Sequence, residues 1–330
     1  MIRAVYRLLG VLSIIILMTL PYASQKSVDG ASFAQIDLDG IWLDKVDPWI
    51  LNELQKGEAE FLVYLKEQAD LSEAETLKTK GEKGAYVFQQ LTTTAQRSQP
   101  MLIKTLNKMG VEYRPFWIAN MIWVRGPLSA VQTMAQLPEV AHLYANPSVH
   151  LEIPAIEPSA SQLLSPDAIE WNLLKVNADK VWTAGYTGQG VVVAGQDTGY
   201  DWDHPALINQ YRGWDGASAD HDYNWHDAIH EDNPHTPEGN LCGFDVSEPC
   251  DDSSHGTHTM GTIVGYDGGI NQIGMAPNAK WIGCRNMEQG WGTPATYSEC
   301  YEWFMAPYPI GGNPFEGDPS KAPDIINNSW

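Results

Sequence analysis

The sequence predicts an α/β protein: a doubly wound parallel sheet preceded by a smaller α+β unit. Two observations carry the sheet. Val191–Ala194, "AKWIGCRNM" (279–287) and "PDIINNSW" (323–330) are short apolar runs set off by Gly, Pro and polar residues, the mark of strands buried on both faces. "TPATYSECYEWFM" (293–305) lies between the last two as a helix, with Thr293 placed to cap it and Pro294 at its first position. Strand–helix–strand repetition of this kind builds a parallel sheet with covered faces. The third observation is the different order of elements in the front half.

There, "EFLVYL" (60–65) reads as a strand. "QPMLIKTLNKMG" (99–110) is amphipathic, with Leu102, Ile103, Leu106 and Met109 on one face and Gly110 as its stop. "VEYRPFWIANMIWVRG" (111–126) predicts two strands around Ala119–Asn120. "PLSAVQTMAQLP" (127–138) predicts a second helix bracketed by prolines, and 140–152 a last strand and tail. The order β-α-β-β-α-β is that of the ferredoxin-like split unit. "IPAIEPSASQLLSPDA" (153–168) reads as an exposed linker, a natural site for proteolytic nicking. "IEWNLLKVNADKVW" beyond it looks helical.

Residues 1–34 read as an export signal: Arg3 and Arg7 precede the apolar run "LLGVLSIIILMTL", which is short against the ~20 residues of a spanning helix. Small residues follow, with Ala23 and Ala34 as candidate cleavage points. No other stretch is long and apolar enough to span a bilayer, so no stable membrane association is expected. With 41 Asp+Glu against 20 Lys+Arg, a nucleic-acid groove is disfavoured, because it needs clustered cations. Four Cys, none in C-x-x-C, argue against a zinc finger, and export implies that they pair.

Three segments carry chemistry. "VVVAGQDTGYDWDHP" puts Asp197 at the carboxyl end of a buried strand, where open parallel sheets face their ligands. "DDSSHGTHTMGTIVG" (251–265) opens on His255 and continues as a glycine-bearing helix; "GMAPNAKWIGCRNM" turns into a strand. Together they resemble the subtilisin-like serine endopeptidases, whose motifs run D-T/S-G, H-G-T-H-x-x-G-T and G-x-A-P-x-A, and within them the bacillopeptidase F-like branch. The resemblance covers roughly residues 35–330. It implies a subtilisin-like doubly wound sheet, incomplete here, preceded by a ferredoxin-like propeptide at 35–152. The catalytic domain would begin at 169.

The resemblance also assigns roles. Asp197 is the carboxylate that orients and charges the imidazole, and His255 the general base and acid, in the order Asp…His…Ser. A serine hydroxyl needs such a base because it is a weak nucleophile near neutrality. The substrate, a protein or peptide, is expected to lie as an added strand between Gly290–Trp291–Gly292 and a turn beginning with Ser329 and Trp330; Trp291 also reads as a plain loop aromatic. The segment's own propeptide is the expected intramolecular inhibitor. The G-T-S-x-A/S and A-G-N motifs are absent from the 330 residues, so the chain is expected to be an inactive fragment of a secreted precursor. No cofactor is required. Calcium stays open at an unknown site: the usual ligand position after D-x-H-P is Ala206, and the acidic stretch 213–254 offers hard oxygens elsewhere.

The four cysteines allow three pairings, of which proximity favours Cys242–Cys250 and Cys284–Cys300. His258 reads as packing or a hydrogen-bond partner; His204, His221, His226, His230 and His235 read as surface or loop residues rather than ligands. Three other readings compete. A lone D-T-G also occurs in aspartic proteases, which need a second such turn. A secreted pseudoprotease or inhibitor would use the 35–154 module to bind proteases. A metal-dependent hydrolase would use His255, His258 and nearby Asp, but lacks H-E-x-x-H. The charge has an address: residues 155–330 hold 25 Asp+Glu and 6 Lys+Arg, and 213–254 holds 11 acidic residues with no Lys or Arg. This favours cationic substrates near the cleft.

Overall fold

A computed structural model describes residues 40–152, 169–236, 239–269 and 272–330. The signal and linker readings (1–34 and 153–168) lie outside these. Residues 41–330 form one compact body. In chain order its elements are α1 (Pro48–Glu53), β1 (Ala59–Leu65), α2 (Lys80–Ser98), α3 (Pro100–Met109), β2 (Glu112–Phe116), β3 (Met121–Gly126), α4 (Leu128–Gln136), β4 (Val140–Ala145) and β5 (Val149–His150) in the front half. The rear half holds α5 (Trp171–Lys175), α6 (Ala178–Thr183), β6 (Val192–Asp197), β7 (Trp225–Asp227), α7 (His255–Val264), β8 (Lys280–Arg285), β9 (Met287–Glu288), β10 (Trp291–Gly292), α8 (Pro294–Met305) and β11 (Ile325–Asn328).

The front sheet runs β2-β3-β1-β4, all antiparallel, the strand order of the split β-α-β-β-α-β unit. One face packs Phe61, Val63, Ile122 and Val124 on Leu102 and Leu106 of α3 and on Val131 and Met134 of α4. Gly110 ends α3 in the left-handed conformation at φ 67°, as its lack of a Cβ allows. The longest helix, α2, has no counterpart in the sequence reading. Its signal was the Thr79–Glu82 capping box, which the glycines and the Thr92–Thr94 run inside the helix obscured.

The rear sheet runs β11-β6-β8-β7, entirely parallel. Alternate side chains point to opposite faces, so Val193 and Trp281 meet Met260 and Val264 of α7, while Ala194 and Ile282 meet Trp303 and Phe304 of α8. Helices therefore cover both faces. The Thr293 cap and Pro294 start of α8 are as expected, Thr293 exchanging hydrogen bonds with Thr296 at 3.3 and 3.0 Å. The helix read at 169–182 is two short ones, parted by Asn177 at φ 62°. Both expected disulfides are present, Cys242–Cys250 and Cys284–Cys300; the second ties β8 to α8. Replacing Cys284 and Cys300 by serine should cost about 3 kcal/mol, read as a lowered urea midpoint.

The front sheet's second face lies against α8: Leu62, Met121 and Trp123 cluster with Ala295. Trp117 is enclosed by Leu91 and Ala95 of α2 and by Ala306. Glu302, on α8, accepts the backbone N–H of Trp117 at 2.5 Å and of Ile118 at 3.0 Å. Arg114 Nη1 donates to Glu299 at 3.2 Å, Arg125 pairs with Glu231, and Lys80 Nζ reaches Asp324 at 2.6 Å. No described helix is long and apolar enough to cross a membrane.

The histidines of the insertion correct the sequence reading. His230 lies in a loop as read, but His226 lies in β7, and both are half-buried; both donate to the buried Glu299, at 2.9 and 3.0 Å, and His226 stacks on Trp303. His258, read as packing or a hydrogen-bond partner, is exposed rather than packed. Many acidic side chains of 213–254 are engaged in structure: Asp215 accepts from Ala217 and Ser218, Asp227 pairs with Arg285, and Asp245 with His230.

Candidate active site

β6 delivers Asp197 to the carboxyl edge of the parallel sheet, where only 1% of it is exposed. The chain then turns sharply through Gly199 at φ 113°, where a Cβ would overlap the Cys250 carbonyl. The N-terminus of α7 comes equally close: a Cβ on Gly256 would overlap the Gly199 carbonyl. These two glycines let the D-T-G turn and the H-G-T-H helix meet backbone to backbone.

That approach puts His255 Nδ1 2.7 Å from Asp197 Oδ1. The same oxygen accepts the Thr198 N–H at 2.7 Å, and Oδ2 accepts the Thr259 hydroxyl at 3.3 Å. Burial pushes the Asp197 carboxyl above its ordinary value, against the hydrogen bonds from His255 and Thr198 that pull it down. With Nδ1–H given to the carboxylate, Nε2 is left as the acceptor that a general base requires.

Asp251, to which the sequence reading gave no role, holds this arrangement. Its Oδ1 accepts Ser253 N–H and Ser254 N–H and the Thr198 hydroxyl; its Oδ2 accepts the N–H and hydroxyl of Thr257. Thr198 Oγ1 in turn accepts the Gly256 N–H at 3.0 Å. Asp251 thus takes up backbone donors that the first turn of α7 leaves unpaired. Its signal was an acidic residue just ahead of a helix start.

The predicted edge at Gly290–Trp291–Gly292 carries a strand of this same chain. β5 pairs antiparallel with β10, His150 opposite Trp291 and Val149 opposite Gly292, and Leu151 N–H donates to Gly290 O at 2.8 Å. The His150 ring lies 4.5 Å from Trp291, and His235 stacks on Trp291 at 4.4 Å. Ser329 and Trp330 follow β11. Ser329 Oγ accepts from Asn327 Nδ2, and the Trp330 ring stacks on Tyr297 at 3.9 Å. The Tyr297 ring also lies against Gly292, so it separates the two segments named for substrate. Asp252 Oδ1 accepts Gln289 N–H at 2.9 Å, and burial pushes this carboxyl up to about 6.

Comparison with known proteins places the rear half. The model of the subtilase family matches residues 188–330. Bacillopeptidase F of Bacillus subtilis (strain 168) is 34% identical over 267 residues, 77% of this chain and 17% of that protein. Subtilisin E of the same strain is 30% identical over 162 residues, 49% of this chain and 32% of that protein. The chain therefore spans less than a third of either relative's length. The solved epidermin leader peptide processing serine protease of Staphylococcus aureus aligns with a TM-score of 0.45 at 15% identity, covering 72% of this chain and 44% of that one.

Proposed function

We propose, from the match of residues 188–330 to the subtilase family model, that this chain is the front part of a secreted serine endopeptidase precursor. Asp197 and His255 are two members of its triad, and the serine comes from sequence outside these 330 residues. The observation that carries the reading is the 2.7 Å bond between Asp197 and His255, made at the sheet edge where a parallel α/β domain binds its ligands. His255 takes the serine proton during attack on the peptide carbonyl and returns it to the leaving amine; Asp197 holds the ring's tautomer and stabilises its charge.

Residues 35–152 act as the propeptide. Strand addition of 149–151 to the 290–292 edge supports this, because a substrate held by main-chain hydrogen bonds would need the same edge. The export signal at 1–34 and processing within 153–168 complete the precursor. The acidic flank of the cleft favours cationic protein substrates.

The test is active-site labelling of the full-length protein with a fluorophosphonate, alongside hydrolysis of quenched peptides. Stoichiometric labelling that abolishes hydrolysis is expected. Unlabelled protein whose activity is lost only to a chelator would point to the metal-dependent alternative.

A further inference from the structure

Arg285 is fully buried at the end of β8. Its Nε donates to Asp227 Oδ1 at 3.0 Å and its Nη2 to Gly243 O, so two of its contacts are with the acidic insertion. The third nitrogen, Nη1, has no hydrogen-bond partner. It lies 4.0 Å from Asp252 Oδ2, which has none either, and both side chains are wholly shielded from solvent. A buried carboxylate is costly unless its charge and its lone pairs are both used. Here Arg285 supplies the countercharge and Gln289 the hydrogen bond.

The position of that hydrogen bond matters. Asp252 stands three residues before His255, in the loop that delivers the imidazole. Gln289 stands immediately before Gly290, whose carbonyl receives the N–H of Leu151. Gln289 has φ 46° and Gly290 φ 82°, two successive left-handed residues of which only the glycine adopts that conformation without strain. A strained residue persists where its surroundings hold it, and Asp252 holds Gln289 by its N–H. The His255 loop and the strand-accepting edge are thus joined through one carboxylate.

We propose that Asp252, backed by Arg285, is a positioning residue that fixes the Gly290–Gly292 edge relative to His255 and so sets the register in which an extended peptide meets the base. The inference rests on the reading of 290–292 as the substrate edge. Charge is the reason for Asp over Asn at this point, since a hydrogen bond to an ionised acceptor is about twice as strong as one to a neutral one.

Two measurements test it. In the 330-residue chain, Asp252→Ala should speed amide exchange at Leu151 by ~10-fold, with Leu62 and Val124 in the front sheet unchanged. An unchanged rate at Leu151 overturns the proposal. Should the alanine variant exchange faster everywhere, the isosteric Asp252→Asn decides on the same criterion, with a rise of ~3-fold at Leu151 expected and none overturning it. In the full-length protein, Asp252→Ala should lower kcat/KM by ~10-fold for peptides long enough to lie along 290–292 and leave short ester substrates within ~2-fold. Equal losses for both overturn it. The exchange measurement needs no catalysis, so a full-length protein without peptidase activity would sink the proposed function while leaving the coupling of edge and loop standing on its own result.

Discussion

Replacing His255 by alanine in the full-length protein should lower kcat for peptide hydrolysis by about 10⁴-fold or more, and stop self-processing, with KM little changed. A loss of that size follows from removing the base of a unit whose members act together. The geometry is specific: the ring is fixed by one 2.7 Å bond to a carboxylate that is itself fixed by Thr198 and Thr259. Asp197→Asn should cost about 10⁴-fold for a different reason, because an amide at this point stabilises the wrong imidazole tautomer. Initial rates on a long peptide measure both. Hydrolysis and processing at the wild-type rate in His255→Ala would remove the triad assignment altogether.

The second large effect concerns the contact between the two halves. Glu302 accepts two backbone N–H groups from the β2–β3 turn, and its replacement by alanine would leave both without an acceptor inside the contact. That should cost about 3 kcal/mol, seen as a lower thermal midpoint for the 330-residue chain. The same contact sets a pH dependence. Burial pushes Glu302 up to about 8, against those two donors. A carboxyl raised on folding favours the protonated folded state, so its contribution declines as pH rises from about 4.5 to 8.

Of its neighbours, His230 acts in the same direction above neutrality. Burial opposes the charge on His230, but Glu299 outweighs it and raises the imidazole. Stability from His230 is therefore present below about 6.5 and lost as pH rises through its folded value. Burial would raise Glu299, yet His230, His226 and Arg114 hold it well below the carboxylate range. Its stabilisation is complete above about 4.5. The midpoint should thus be highest near pH 5–6 and lower by ~5 °C at pH 8.5. Glu302→Gln keeps an acceptor oxygen without a titrating group and should flatten that slope. An identical slope in wild type and Glu302→Gln would exclude Glu302 as its source.

Much of the fold was legible because it is locally encoded. Gly110, Pro127 and the Thr293–Pro294 pair mark helix ends by backbone preference alone, and the apolar runs at 191–194 and 279–287 mark strands by pattern. The 19-residue α2 was not legible: its cap is clear, but its interior is poor in strong helix formers, and the helix is held by packing around Trp117. β7 was hidden too, three residues within an acidic stretch that pair only because β8 passes beside them.

The candidate site divides in the same way. Asp197 and His255 each sit inside a dense motif, and Cys284 and Cys300 pair at short separation. Arg285, Glu299 and Glu302 stood in no motif. Glu302 meets Trp117 across 185 residues of chain, and nothing near either residue in sequence marks the other. The sequence by itself determined which two motifs hold Asp197 and His255, the strand and helix types that carry them, and the pairing favoured for the cysteines. Only the tertiary structure decided that 149–151 pairs with the 290–292 edge, that two insertion histidines serve a buried glutamate, and that Asp252 joins the loop before His255 to that edge. The reason is physical. Propensity and periodicity act between neighbours along the chain, whereas strand addition and the partners of buried charge depend on which distant surfaces lose water against each other.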